Sequence, residues 1–143
     1  MSTYVPSGKD IDRTWFVIDA KDKVLGKIAT EAASILQGKR KPTYTPFLDM
    51  GDHVIVINAR RVHLTGKKAS DKLYQHPTGY LGNLKTETAT EMLVKHPERV
   101  IEYAIRGMLP KTKLGRAMYR KLRVYARDNH PHKAQNPKPI SID

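Results

Sequence analysis

The chain reads as an α/β protein, and three features point there. Trp15-Phe-Val-Ile-Asp19 and His53-Val-Ile-Val-Ile-Asn58 have the β-branched, apolar make-up of buried strands. Between them, Leu25, Ile28, Ala29, Ala32, Ala33 and Leu36 recur at helical spacing, with Lys27, Thr30, Glu31 and Ser34 opposite. The second strand is apolar at nearly every position, which implies burial on both faces and so a parallel sheet. Strand, helix, strand, then further helices and a late strand make a layered α/β domain. At 143 residues the chain fits one such domain, and two would be cramped.

Taken in order, residues 1–13 read as an N-terminal arm, with Pro6, Gly8 and no apolar period. Asp22 is placed to cap the first helix. Gly38 marks its end, where Lys39-Arg-Lys41 suits the helix dipole. Pro42 and Pro46 keep the next segment extended. Val62-His-Leu-Thr65 reads as a short third strand, and residues 66–85 as an irregular loop or a loose hairpin. Thr88-Ala-Thr-Glu91 matches a capping box. Pro97 suits the first turn of a helix whose buried stripe is Val100, Ile101, Ala104, Ile105 and Met108. Leu114, Ala117, Met118 and Leu122 then share one helical face, and Leu122-Arg-Val-Tyr-Ala-Arg127 alternates like a strand. Residues 14–127 thus form the domain. From Asp128 on, Pro131, Pro137, Pro139 and the lack of any period predict an extended C-terminal tail over 128–143.

Charge narrows the function. The net charge is +12, and between Arg106 and Lys138 ten Lys or Arg stand against one acid, Asp128. Like charges so crowded repel in the folded state, and a polyanion with regular phosphates relieves that repulsion. The absence of cysteine excludes disulfides and thiolate metal sites. The longest aliphatic run, Val54-Ile-Val-Ile57, is far too short to span a bilayer, so no membrane partner is expected. The first residues lack the basic-then-apolar order of a secretory signal, which makes the cytosol the expected home.

Four segments carry candidate chemistry. Lys113, Arg116 and Arg120 recur on one helical face, where each guanidinium can grip a phosphate with two hydrogen bonds. Arg123 continues that basic run into the following strand, while Tyr119 and Tyr125 offer rings for stacking. The alternatives are a solvated amphipathic helix or a membrane-surface helix. The second segment is Lys39, Arg40 and Lys41 with Tyr44, which also reads as an ordinary helix terminus. In the third, Lys67, Lys68, Lys72, Tyr74, His76 and Tyr80 interleave charge with rings. Its Thr65-Gly-Lys-Lys68 is not a phosphate-cradling P-loop, since the first glycine and the closing Ser or Thr are missing. The fourth is His130-Pro-His132. Two histidines, or Asp49 with Asp52, open a metal-dependent nuclease as the rival hypothesis, but no nucleophile, base and oriented partner assemble around them. No motif calls for a cofactor or a small-molecule substrate.

Several fragments in order resemble the bacterial large-subunit ribosomal protein thirteen family, the universal uL-thirteen group. They are Trp15-Phe-Val-Ile-Asp-Ala20, Leu25-Gly-Lys-Ile-Ala29, Gly38-Lys-x-Lys-Pro-x-Tyr-x-Pro46, Gly51 to Ala59, Thr65-Gly-Lys-Lys68, and His76 with Gly79-Tyr80. Gly107-Met-Leu-Pro-Lys-x-x-Leu-Gly-Arg116 is the strongest, followed by Lys121-Leu-x-Val-Tyr125 and His130-Pro-His-x-Ala-Gln135. The resemblance implies a three-layer α/β/α domain around a four-stranded, mostly parallel sheet. It also implies binding to large-subunit ribosomal RNA beside neighbouring ribosomal proteins, and an early role in assembling that subunit. Carried onto matching positions, it marks Lys39, Lys41, Tyr44, Lys67, Lys68, His76, Tyr80, Lys111, Arg116, Lys121, His130 and His132. Two places depart from the family pattern: the proline in His76-Pro-Thr-Gly79, and Arg127-Asp-Asn129, which lacks a glycine.

Overall fold

The computed structural model describes residues 2–143. Strands β1 (Trp15–Asp19) and β2 (His53–Ile57) run parallel, Trp15 opposite His53 and Asp19 opposite Ile57. Helix α1 (Leu25–Gln37) connects them and buries the stripe its spacing predicts. Gly38 ends α1 in the left-handed region, at φ 80°, and its amide returns to the helix carbonyls. Asp22 is not the cap. It sits in a left-handed turn at φ 56°, its amide donating to the Arg61 carbonyl, and α1 starts after Val24 with no side-chain cap. Backbone bonds to residues 61–63 fix that entry instead.

The expected strand over 62–65 shrinks to one bridge, Val24 with His63, because a 3-10 turn at Ala59–Arg61 redirects the chain. The segment 66–85 holds a single turn of helix, α2 (Lys68–Asp71), and enters an antiparallel hairpin of β3 (Leu73–Pro77) and β4 (Leu84–Thr88). The capping box is present: Thr88 Oγ1 accepts from the Glu91 amide at 3.3 Å, and Glu91 Oε2 accepts from the Thr88 amide at 3.1 Å. It opens α3 (Ala89–Lys95). Next comes α4 (Pro97–Met108), with Pro97 in its first turn. Val100, Ile101 and Ile105 are fully buried, Ala104 is half-buried, and Met108 stands 44% exposed, so the apolar stripe stops one residue group early.

Helix α5 (Lys113–Tyr119) leads into β5 (Leu122–Val124), which pairs parallel with β2. The tail supplies the fourth strand. After a 3-10 turn at Lys133–Gln135, β6 (Lys138–Ile140) pairs parallel with β1, Phe16 opposite Lys138. Part of residues 128–143 thus completes the sheet, whose order is β5-β2-β1-β6. Pro139 is tolerated there because β6 is an edge, where a missing N–H costs no ladder bond on the outer side.

The result is a three-layer α/β/α domain around a sheet that is parallel throughout. One sheet face, with Ile18, Val54, Val56 and Leu122, joins Ile28, Leu36, Val100, Ile101 and Ile105 of α1 and α4 in the main core. Each fully buried aliphatic side chain of that kind stabilises the fold by about 1.5–3 kcal/mol. The opposite layer is slight. Trp15 lies flat on His53, ring centroids 4.2 Å apart, and His132 from the 130s segment stacks on Trp15 at 5.2 Å.

Candidate nucleic-acid interface

The sequence around α5 explains its own geometry. Leu109 is extended, as the residue before a proline prefers, so α4 stops and the chain turns. Thr112 caps α5 by accepting from the Gly115 amide at 3.3 Å. Gly115 is required because a Cβ there would stand 1.7 Å from the Pro110 carbonyl oxygen. The turn is therefore tight, and α5 is drawn in beside the end of α4. Lys113, Arg116 and Arg120 come out exposed, as does Lys111 in the turn.

Between α4 and α5 lies a cleft of 780 Å³ bearing Arg106, Lys111, Arg116 and Arg120 together with Tyr103 and Tyr119. Burial, with Glu102 nearby, raises the Tyr119 phenol above its ordinary range, so it stays a hydrogen-bond donor. On the far side of Tyr103 a second groove takes in Lys68, Lys72 and His63. Tyr103 thus joins two basic segments that are remote in sequence. Lys72 also sits over the Tyr74 ring, 5.4 Å from its centroid, and Tyr74 stacks on Tyr103 at 5.8 Å.

Most cations are free. Among the described residues, five of the 26 Lys and Arg side chains pair with an acid. Lys39 is exposed and unpaired, Arg40 pairs with Glu31, and Lys41 pairs with Asp52 at 2.8 Å. Lys41 also donates to the Asp12 carbonyl, tying the segment after α1 to the N-terminal arm, while Tyr44 remains 37% exposed. Lys67, Lys68 and Lys72 are exposed, as are His76 and Tyr80 on the hairpin, with Tyr80 at 80%. Arg123 is exposed on the β5 edge, its guanidinium donating to the Arg120 carbonyl at 2.6 Å.

One expected contact is corrected. Lys121 is 5% exposed, and its Nζ donates to Asp49 Oδ1 at 2.5 Å and to the Leu36 carbonyl at 3.2 Å. Burial holds it below the usual lysine range, with the Asp49 hydrogen bond opposing. Its charge is spent joining β5 to the end of α1. Gly51 makes room for this, since a Cβ there would lie 1.7 Å from the Leu36 oxygen and 2.8 Å from Lys121 Nζ.

The rival nuclease loses its parts by the same geometry. Asp49 is held by Lys121 and by Arg13 at 3.6 Å, and Asp52 by Lys41 and the Thr14 amide at 2.9 Å. His132 bonds the Tyr125 hydroxyl at 2.6 Å and stacks with His130, so both rings anchor the 130s segment. Burial, then Arg123 and His130, lower the His132 pKa. No group of three metal-ligating side chains occurs among the described residues, and none of their helices is long and apolar enough to cross a membrane.

Tyr103 and Arg106 also line the α4–α5 cleft. Arg106 opens the basic run in the sequence, whereas Tyr103 lies between the buried positions of α4 and is brought to the cleft by the packing of α5.

The chain matches the family model described as Ribosomal protein L13 over residues 13–131. It is 54% identical over 142 residues to the large ribosomal subunit protein uL13 of Stenotrophomonas maltophilia, covering 99% of this chain and 100% of that protein. The uL13 protein of Acidithiobacillus ferrooxidans is 52% identical with the same coverage. That of Solibacter usitatus is 56% identical over 99% of each chain. With the match running end to end and through the motif that shapes α5, the chain belongs to the ribosomal protein L13 family.

Proposed function

We propose that this protein is a structural constituent of the large ribosomal subunit, binding large-subunit ribosomal RNA through its basic surfaces and helping early subunit assembly. It works in the cytoplasm, inside that particle, beside other large-subunit proteins, and performs no chemical step. The observation that carries this reading is the joined basic surface at the end of α4. There Lys68 and Lys72 meet Arg106, Lys111, Arg116 and Arg120 around Tyr103, with no acid lining the α4–α5 cleft.

Affinity comes largely from counterion release as phosphates meet these cations. Folded RNA is then recognised by shape, phosphate and ribose. We assign contacts to Lys39, Arg40, Lys41 and Tyr44 at the α1 end, and to Lys67, Lys68, Lys72, His76 and Tyr80 in the hairpin region. Lys111, Lys113, Arg116, Arg120, Arg123, His130 and His132 complete the set. Residues 14–127, with β6 of the 128–143 segment closing their sheet, carry most of these contacts, and His130 and His132 of that segment add to them. Sedimentation of a cell lysate tests this: the protein should travel with large subunits. Recovery only in the soluble top fractions contradicts it.

A further inference from the structure

The cleft between α4 and α5 is built for more than a phosphate. Its four cations, Arg106, Lys111, Arg116 and Arg120, surround two aromatic rings, Tyr103 and Tyr119, and no acid lines it. None of the four cations has an acid partner among the described residues. Tyr103 stacks on Tyr74 on one side, and the residue is still 42% exposed. The volume, 780 Å³, lies in the range of pockets that hold small organic groups.

A bare phosphate would need only the cations. Rings beside guanidinium groups match a base and its phosphate together, because aromatic and guanidinium planes stack on the π-face of any base. A peptide of matching charge would be acidic and would leave the rings idle. Glu102, the acid that raises the Tyr119 phenol, does not line the cleft.

We propose that this cleft receives one nucleotide of the large-subunit RNA, swung out of its stack, with the base against Tyr103 and Tyr119 and the phosphate among the four cations. The inference rests on the RNA-binding reading above and adds a stacking site to it. Tyr103 and Arg106 are contact residues of that site.

The test uses the full chain with transcribed fragments of large-subunit RNA. Tyr103→Ala should weaken binding roughly tenfold at fixed salt, the scale of one lost base–aromatic stack, and leave the salt slope unchanged because no cation is removed. Tyr103→Phe should bind like wild type. Ultraviolet crosslinking followed by peptide mass analysis should place a nucleotide adduct on Tyr103 or Tyr119. Because Tyr103 stacks on Tyr74, thermal melts of Tyr103→Ala should show a modest drop, while Tyr103→Phe keeps the wild-type melt. Should that variant unfold, the crosslink in wild type decides. Salt-dependent wild-type binding that Tyr103→Ala leaves within about twofold, with adducts elsewhere only, overturns the stacking site and spares the RNA reading. Failure of wild type to bind any fragment overturns both. Titration with free AMP, GMP and UMP should show no saturation below about millimolar, and tight binding of a free nucleotide would contradict a site for RNA.

Discussion

Replacing Lys121 by Ala separates structural cations from binding ones. Its Nζ lies 2.5 Å from Asp49 Oδ1 and 3.2 Å from the Leu36 carbonyl, with the side chain 6% exposed and that of Asp49 13%. Removal strands two groups: a carboxylate, and a carbonyl in the last turn of α1 that lacks a helical partner. Breaking a buried pair from one side costs about 3–5 kcal/mol. Arg13 still stands 3.6 Å from Asp49, which places the loss near the lower end, about 3 kcal/mol. For a chain of this size that lowers the melting temperature by roughly 6–12 °C. Urea unfolding measures the loss, and salt titration of RNA binding, under conditions where the variant is folded, should give the wild-type slope. A loss under about 0.5 kcal/mol, or a smaller salt slope in the folded variant, refutes the burial argument and returns Lys121 to the phosphate contacts.

Three other outcomes are expected. Arg116→Glu with Arg120→Glu should leave the melt near wild type, because both side chains are exposed and unpaired, yet reduce incorporation into large subunits. Unaltered incorporation contradicts the α5 surface. Deleting residues 136–143 removes β6 and the 6%-exposed Ile142, so urea unfolding should show a loss of about 2–4 kcal/mol, and an unchanged midpoint would show the edge strand to be idle. His53 concerns pH. Burial first, then Lys121, Arg13 and Arg123, hold its imidazole below the ordinary value, with Asp52 opposing. The unfolded chain therefore takes a proton where the folded chain refuses it. This stabilisation is complete above about pH 6.5 and is lost as pH falls from there through the lowered folded value. The urea midpoint should drop between about pH 7.5 and about pH 5, and drop less in His53→Phe. Equal drops would remove His53 from the account.

How far the sequence could be read depended on the range of the interaction. The period of α1, the apolar run of β2 and the Thr88–Glu91 box are local, and each appears where the residues place it. The helix bearing Lys113, Arg116 and Arg120 was legible from its spacing, and Gly115 against Pro110 explains the tight turn before it. Lys121 was not legible. As a residue type it matches its surface neighbours, and its burial is decided by Asp49, 72 positions away. β6 was hidden by Pro139 within it and Pro137 before it, residues that argue against a strand everywhere except an edge. Asp22 had the right chemistry for a cap, but backbone bonds from residues 61–63 claimed that turn first.

The claim beneath all this is that unpaired cations gathered around α4 and α5 hold RNA by displacing its counterions. Binding of purified protein to a large-subunit RNA fragment, followed across salt concentrations, tests it most directly. With at least the six cations around Tyr103 engaged, log affinity should fall against log salt with a slope of about −4 or steeper. A slope near zero would contradict the account.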